Sequence, residues 1–317
     1  MSNRSVDMHA ARAMRRRKSA LSRIVAAAWP VAALAIALGA GNAHAQRFIV
    51  VSSGHSTANA QALAAIREHA GWTVDARRLG DDDAALAALL THAAGGTAIV
   101  ALGTKASQLV GALAVAVPAV DCMVQGDLGI ASAAPVVPLA IPVDVQIRWM
   151  KRLLPAAHRI ALLYDPAQNE RTAADIAEHL KAAGYIVMSE AVASPQALPP
   201  ALARLGDADA LLALPDSTVY SPALAKGLLL FTYRTNTPLI ALSDAWVRAG
   251  ALYAIEWNYS ELGTYCAELA LHLASTAKNA RPPTLPAPLV SVNQRAATQL
   301  RLKWDAASLA GVGQVHE

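Results

Sequence analysis

Hydrophobic and polar positions along this chain change in blocks. From Arg47 onward, short continuous apolar runs rich in Val, Ile and Ala alternate with longer stretches of helical spacing. Continuous runs of this kind belong to strands buried on both faces of a parallel sheet. The spacing predicts strands over Phe48–Ser52, Trp72–Leu79, Thr97–Leu102, Val117–Met123 and Val136–Ile141. Helices fall between the earlier of them, and Asp81-Asp82-Asp83 opens one, where the helix dipole favours acids. After Pro142 the pattern starts again. A helix over Val143–Leu154 precedes a strand at Arg159–Tyr164, a helix over Glu170–Ala183 and a strand at Tyr185–Ala191. A short helix at Pro199–Leu205 leads into the apolar run Leu211–Leu214. Pro215 ends that strand because it has no N–H for the ladder.

The last third predicts strands at Leu239–Leu242, Gly250–Ala254 and Leu289–Val292. A long helix opens at Trp257–Ser260 and runs to about Lys278, and a Pro-rich linker covers 281–286. Strand and helix alternating at this spacing make an α/β fold with doubly wound parallel sheets.

The restart after Pro142 reads as an internal repeat. Arg47-Phe48-Ile49-Val50 matches Arg159-Ile160-Ala161-Leu162 at an offset of 112. Ala70-Gly71-Trp72 matches Ala183-Gly184-Tyr185 at 113, and Ala101-Leu102-Gly103-Thr104 matches Ala213-Leu214-Pro215-Asp216 at 112. Two Rossmann-like lobes of one design are expected. A chain that passes several times between them makes a multi-strand hinge able to close over a ligand.

Charge changes the picture only at the N-terminus. The formal balance is +4, yet residues 1–45 hold seven Lys/Arg and one acid. The remainder carries 20 Lys/Arg against 22 Asp/Glu and offers no basic face for nucleic acid. A basic segment over Arg12–Arg23, an apolar stretch over Ile24–Leu38 and Ala43-His44-Ala45 have the form of a secretory signal peptide cut after Ala45. The expected location is the periplasm. Export permits a disulfide between Cys122 and Cys266, but sequence alone does not pair them. Cys266, inside a helical pattern, reads as a buried free thiol.

Enzyme motifs are absent: there is no Gly-x-Ser-x-Gly, His-Glu-x-x-His or Cys-x-x-Cys. The histidines after residue 45 lack metal-ligand spacing. No catalytic residue, metal or cofactor is expected. The candidate chemistry is that of binding. Helix-start N–H groups with the hydroxyls of Ser53, Ser56 or Thr104 suit a carboxylate. Asp216 or Asp244 suits an ammonium, and Trp257 or Tyr259 offers a ring face. Asp216, Ser217 and Asp244 suit helix caps equally well.

The ordered motifs Ala-Leu-Gly-Thr-Lys-Ala, Leu-Tyr-Asp-Pro followed by Asn169, Leu-Pro-Asp-Ser-Thr-Val, Ser-Asp-Ala-Trp-Val-Arg-Ala-Gly-Ala-Leu and Val-Asn-Gln-Arg-Ala-Ala carry a resemblance. The chain resembles the substrate-binding proteins of ABC transporters, in the group that includes tryptophan and tyrosine binders. The resemblance implies the type I periplasmic-binding fold. Its lobes would span 46–142 plus about 247–285, and 143–246 plus about 286–317. By position it implies a ligand cleft lined by Thr104, Ala106, Asn169, Asp216, Ser217, Thr218, Asp244, Trp257, Asn258 and Tyr259. It implies a monomer that takes a small ligand, an amino acid or similar zwitterion, to an inner-membrane ABC permease. The alternative partner is a signalling receptor or an outer-membrane uptake system.

Overall fold

The computed structural model describes residues 46–317 except 70, 127, 128, 130, 131 and 276–280. The expected leader lies outside the described residues; the helix expected to run to about Lys278 ends at Ala274, where Ser275 turns to an extended conformation.

The first lobe contains β1 (Gln46–Ser52), α1 (Thr57–Glu68), β2 (Trp72–Arg78), α2 (Asp83–Thr91), β3 (Thr97–Leu102), α3 (Thr104–Ala112), β4 (Ala119–Val124) and β5 (Val136–Pro138). All its strand pairings are parallel, in the order β2-β1-β3-β4-β5. Every residue of the central strand β3 is buried, as its unbroken apolar run requires.

The second lobe contains α4 (Val143–Leu153), β6 (Arg159–Tyr164), α5 (Pro166–Ala182), β7 (Ile186–Ala191), α6 (Leu198–Arg204), β8 (Ala210–Leu212), α7 (Pro222–Thr235), β9 (Leu239–Ala241), α8 (Asp244–Arg248) and β10 (Tyr253–Glu256). Next comes α9 (Tyr259–Ala274). The chain ends with β11 (Leu289–Asn293), α10 (Gln294–Gln299), α11 (Ala306–Leu309) and β12 (Gln314–His316). The second sheet runs β12-β11-β10-β9-β8-β6-β7, antiparallel only between β10 and β11. Its order β7-β6-β8-β9-β10 reproduces β2-β1-β3-β4-β5 strand for strand. The two lobes are therefore built to one plan in the type I periplasmic-binding fold.

Several expectations shift. Residues 247–256 do not belong with the first lobe, because β10 pairs with β9 and β11 in the second sheet. The chain crosses back only at Trp257–Asn258. Helix α9 then packs on α1 and on β3 and β4. The approach is close: a Cβ on Gly263 would lie 2.6 Å from Ala62 Cα. The strand expected over Val136–Ile141 stops at Pro138, leaving 139–142 as a crossing between lobes. The closing strand β12 and helix α11 have too few periodic residues to be visible in the sequence pattern.

Cys266 is not a free thiol. It forms a disulfide with Cys122, 144 residues away. The bond fastens the returning helix α9 to β4. Both sulfurs lie in the core with Phe48, Val100 and Leu262.

Candidate functional site

A cavity of about 630 Å³ opens between the lobes. Its main wall is the carboxyl ends of β8, β9 and β10, where open parallel sheets bind ligands. The crossing residues Leu139–Ile141, the first turn of α4 and the first turns of α5 complete the second-lobe side. Gln125 and Gly126, just past β4, face it from the first lobe. The wall is mixed. Leu139, Ile141, Ile176, Leu212, Leu214 and Leu242 are apolar; Gln125, Gln146, Gln168 and Asn169 bring amides; Asp175 and Glu256 bring carboxyls. The lining holds no Lys, Arg or His among the described residues.

Three of the twelve residues singled out from sequence line this cavity: Asn169, Trp257 and Tyr259. Asn169 has φ −131° inside α5, a local kink. Its Nδ2 donates to Asp216 Oδ2 at 2.9 Å and to the Pro215 carbonyl at 3.3 Å. Trp257 is buried, and its Nε1 donates to the Leu139 carbonyl at 3.0 Å. Tyr259 starts α9, and burial, together with the nearby Glu256 charge, raises its hydroxyl pKa.

The other nine hold the walls in place. Asp216 is buried and points into its own loop. Oδ2 accepts the Asp165 N–H at 2.6 Å as well as Asn169, and Oδ1 accepts the Thr218 and Val219 N–H groups at 3.0 and 2.9 Å. Thr218 donates its hydroxyl to Asp165 Oδ2 at 2.7 Å, and Ser217 donates to Gln168 Oε1 at 3.0 Å. That Thr218 bond, with the Ala167 N–H, lowers the Asp165 pKa. These bonds weld the ends of β6 and β8 into one rigid unit.

Asp244 lies behind the cleft wall at the first turn of α8, paired with Arg248 and with His316 Nε2 of β12. Burial raises its pKa most, but the His316 and Ser291 bonds and the His316 and Arg248 charges together outweigh that and leave it lowered. Asn258 caps α9, accepting the Ser260 and Glu261 N–H groups. In the first lobe, Ser56 caps α1 by accepting the Asn59 N–H, and Ser53 Oγ accepts the Ala106 N–H at 2.9 Å. Thr104 Oγ1 bonds both the N–H and the carbonyl of Gln125 at 2.9 Å. Thr104 thereby sets a first-lobe loop that does reach the cavity.

Glu256 was not singled out. It is the last residue of β10, half-buried on the cavity floor, and its Oε1 accepts the Asp244 N–H at 3.1 Å. Burial, chiefly, raises its pKa. The available signal was its place as the first polar residue after the apolar run Tyr253-Ala254-Ile255. Gln125, Gln146 and Asp175 carried no signal, since surface amides and acids recur along helices and loops.

Among the described residues no group of three or more His, Cys, Asp or Glu could hold a metal ion. No helix among them is long and apolar enough to cross a membrane.

Two lobes of one topology, hinged by crossing segments and enclosing a cavity at their strand ends, define a bilobal ligand-binding protein. The family described as ABC transporter substrate binding protein matches residues 80–313, and the chain belongs to it. Solved structures share the fold at low identity. An ABC domain in complex with L-Trp from Streptococcus pneumonia is 17% identical, with a TM-score of 0.56 over 85% of this chain and 99% of that one. A ligand-free, open substrate-binding protein with adhesive properties from Clostridium difficile is 15% identical, with a TM-score of 0.67 over 86% and 99%. No curated protein matches the chain.

Proposed function

We propose that this protein is an extracytoplasmic receptor that binds a small amino-group-bearing ligand, an amino acid or a related amine, between its lobes. It presents the ligand to an ABC permease in the inner membrane. The observation that carries the reading is the interlobe cavity, floored by Glu256 and edged by Trp257 and Tyr259. Its size suits a ligand of this class. Family membership supports the permease as partner. The Cys122–Cys266 disulfide supports an oxidising compartment. The repeated lobes and the segments crossing between them support hinge closure as the act of recognition.

Isothermal titration and thermal unfolding against amino acids and small amines test the reading. A ligand at 100 times its Kd stabilises the folded protein by about 2.7 kcal/mol. Binding lost on Trp257→Ala in a chain that still folds supports the cleft. Absence of both heat and thermal shift across the panel overturns the reading.

A further inference from the structure

We infer that the cleft selects a small organic cation, an amine with an apolar body, and that Glu256 is the residue that determines this choice. The inference rests on the cleft being the ligand site and names what that site takes.

The charged groups around the cavity point one way. Glu256 sits on its floor and Asp175 on its wall, while no Lys, Arg or His lines it among the described residues. One backbone N–H, from Asp244, orients Glu256 through Oε1, and no side-chain donor reaches the carboxylate among the described residues. Arg248 acts on Glu256 only at a distance, being paired with Asp244, so this half-buried carboxylate has no cation in direct contact, and an arriving ammonium supplies one. Trp257 and Tyr259 follow this carboxylate closely in sequence and share the cavity with it, so ring faces are at hand for the same cation.

The helix-start N–H groups and the Thr104 hydroxyl that sequence offered to a ligand carboxylate are already engaged, and none of these residues lines the cavity. Ser53 Oγ takes the Ala106 N–H, Ser56 Oγ the Asn59 N–H, and Asp165 Oδ1 the Ala167 N–H. Thr104 spends its hydroxyl on Gln125. The starts of α1, α3 and α5 are thus closed by side-chain acceptors, and the cavity wall itself joins the Asp175 and Glu256 carboxyls to amides, hydroxyls and hydrocarbon.

Glu256 works among other titrating groups. Asp244 and Arg248 on α8 act on it with opposite sign, and Tyr259 on α9 is raised by its charge. His316 on β12 reaches it only through Asp244. Asp175 on α5 is the second acid of the cavity. Because burial raises the Glu256 pKa, acidification neutralises it early and should weaken a cation's hold.

Two matched sets separate the alternatives: phenethylamine, phenylalanine and 3-phenylpropionate, and pentylamine, norleucine and hexanoate. Each is titrated into the protein and into Glu256→Gln by calorimetry, with thermal unfolding as a check on folding. The expected result is that the amine of a set binds at least as tightly as its amino acid, and that the acid does not bind. Glu256→Gln then loses about 10- to 100-fold in amine affinity, the range of a charge-assisted hydrogen bond, with its unfolding midpoint retained. Amine affinity should fall as pH is lowered in the native protein and stay flat in Glu256→Gln. An acid that binds, an amino acid at least 10-fold tighter than its amine, or an unchanged affinity in Glu256→Gln overturns the inference and leaves the cleft as the ligand site. If no member of either set and no compound of the wider amino acid and amine panel binds, the cleft reading falls and takes the inference with it.

Discussion

The Trp257 indole donates to the Leu139 carbonyl at 3.0 Å and so ties together two separate crossings between the lobes. Leu139 lies just past β5, on the way out of the first lobe; Trp257 lies just past β10, on the way back. Both also line the cavity. The crossings and the cavity wall are therefore partly the same residues. Trp257→Phe keeps most of the ring and loses the bond. It is expected to lower stability by about 1 kcal/mol and to weaken ligand binding, read by thermal unfolding and calorimetry. An unchanged unfolding midpoint would show that the bond does not hold the crossing.

Asp216 is expected to act on stability before it acts on ligand. Its carboxylate accepts four bonds, three from backbone N–H groups, and Asp216→Ala leaves those donors buried or strained. A loss of roughly 2–4 kcal/mol follows, measured by urea denaturation. If the variant keeps full stability and loses only binding, Asp216 faces the ligand instead.

The disulfide should matter more than a typical surface staple. Cys122 and Cys266 are 144 residues apart, so the bridge restrains a long stretch of unfolded chain. Its removal by Cys122→Ser with Cys266→Ser, or by reductant, is expected to cost about 2–5 kcal/mol. Thermal unfolding with and without dithiothreitol reads this directly, and equal midpoints would refute it.

Asp121 gives a pH prediction with a definite sign. It is fully buried in β4; Ser132 donates to its Oδ2, and Oδ1 has no partner among the described residues. Burial, the largest influence, raises its pKa above that of an exposed Asp. The folded state therefore holds this proton more tightly than the unfolded state. Stability from this group is complete below the unfolded pKa and declines as pH rises through the folded one. Asp121→Asn can still accept from Ser132 and has no charge to bury. It is expected to unfold at a higher midpoint than the native protein at pH 8 and to flatten this part of the pH profile. A lower midpoint at pH 8 would contradict the account.

Gly263 is fixed by packing, not by turn geometry. A methyl group there meets the backbone and side chain of Ala62 at 2.6–2.8 Å. Gly263→Ala should destabilise the first lobe by about 1–3 kcal/mol, despite the higher helix propensity of Ala. A neutral or stabilising effect in thermal unfolding would mean that α1 and α9 can separate without loss.

The fold was legible because periodicity and spacing are backbone properties. The matches at Arg47/Arg159 and Ala101/Ala213 anticipated equivalent strands, and both sheets place them so. What sequence could not show was direction. Asp216 and Ser217 occupy the strand end where a ligand is expected, yet neighbouring N–H groups outcompete solvent for Asp216, and Ser217 turns to Gln168. Asn258 and Ser56 have the same composition as a binding turn and act as caps. Glu256 reads in sequence as a strand terminus; only the pairing of β10 between β9 and β11 brings it to the cavity floor.

Among the described residues, all those that line the cavity lie from Gln125 to Tyr259, and Cys122 and Cys266 lie on either side of that span. The described lining of the cavity is thus drawn from one covalently closed ring of polypeptide. Residues 46–121 and 267–317 support the ring without entering it. A single protease cut within the ring leaves both fragments joined through sulfur, so the site can survive a nick that would divide an open chain into separate pieces.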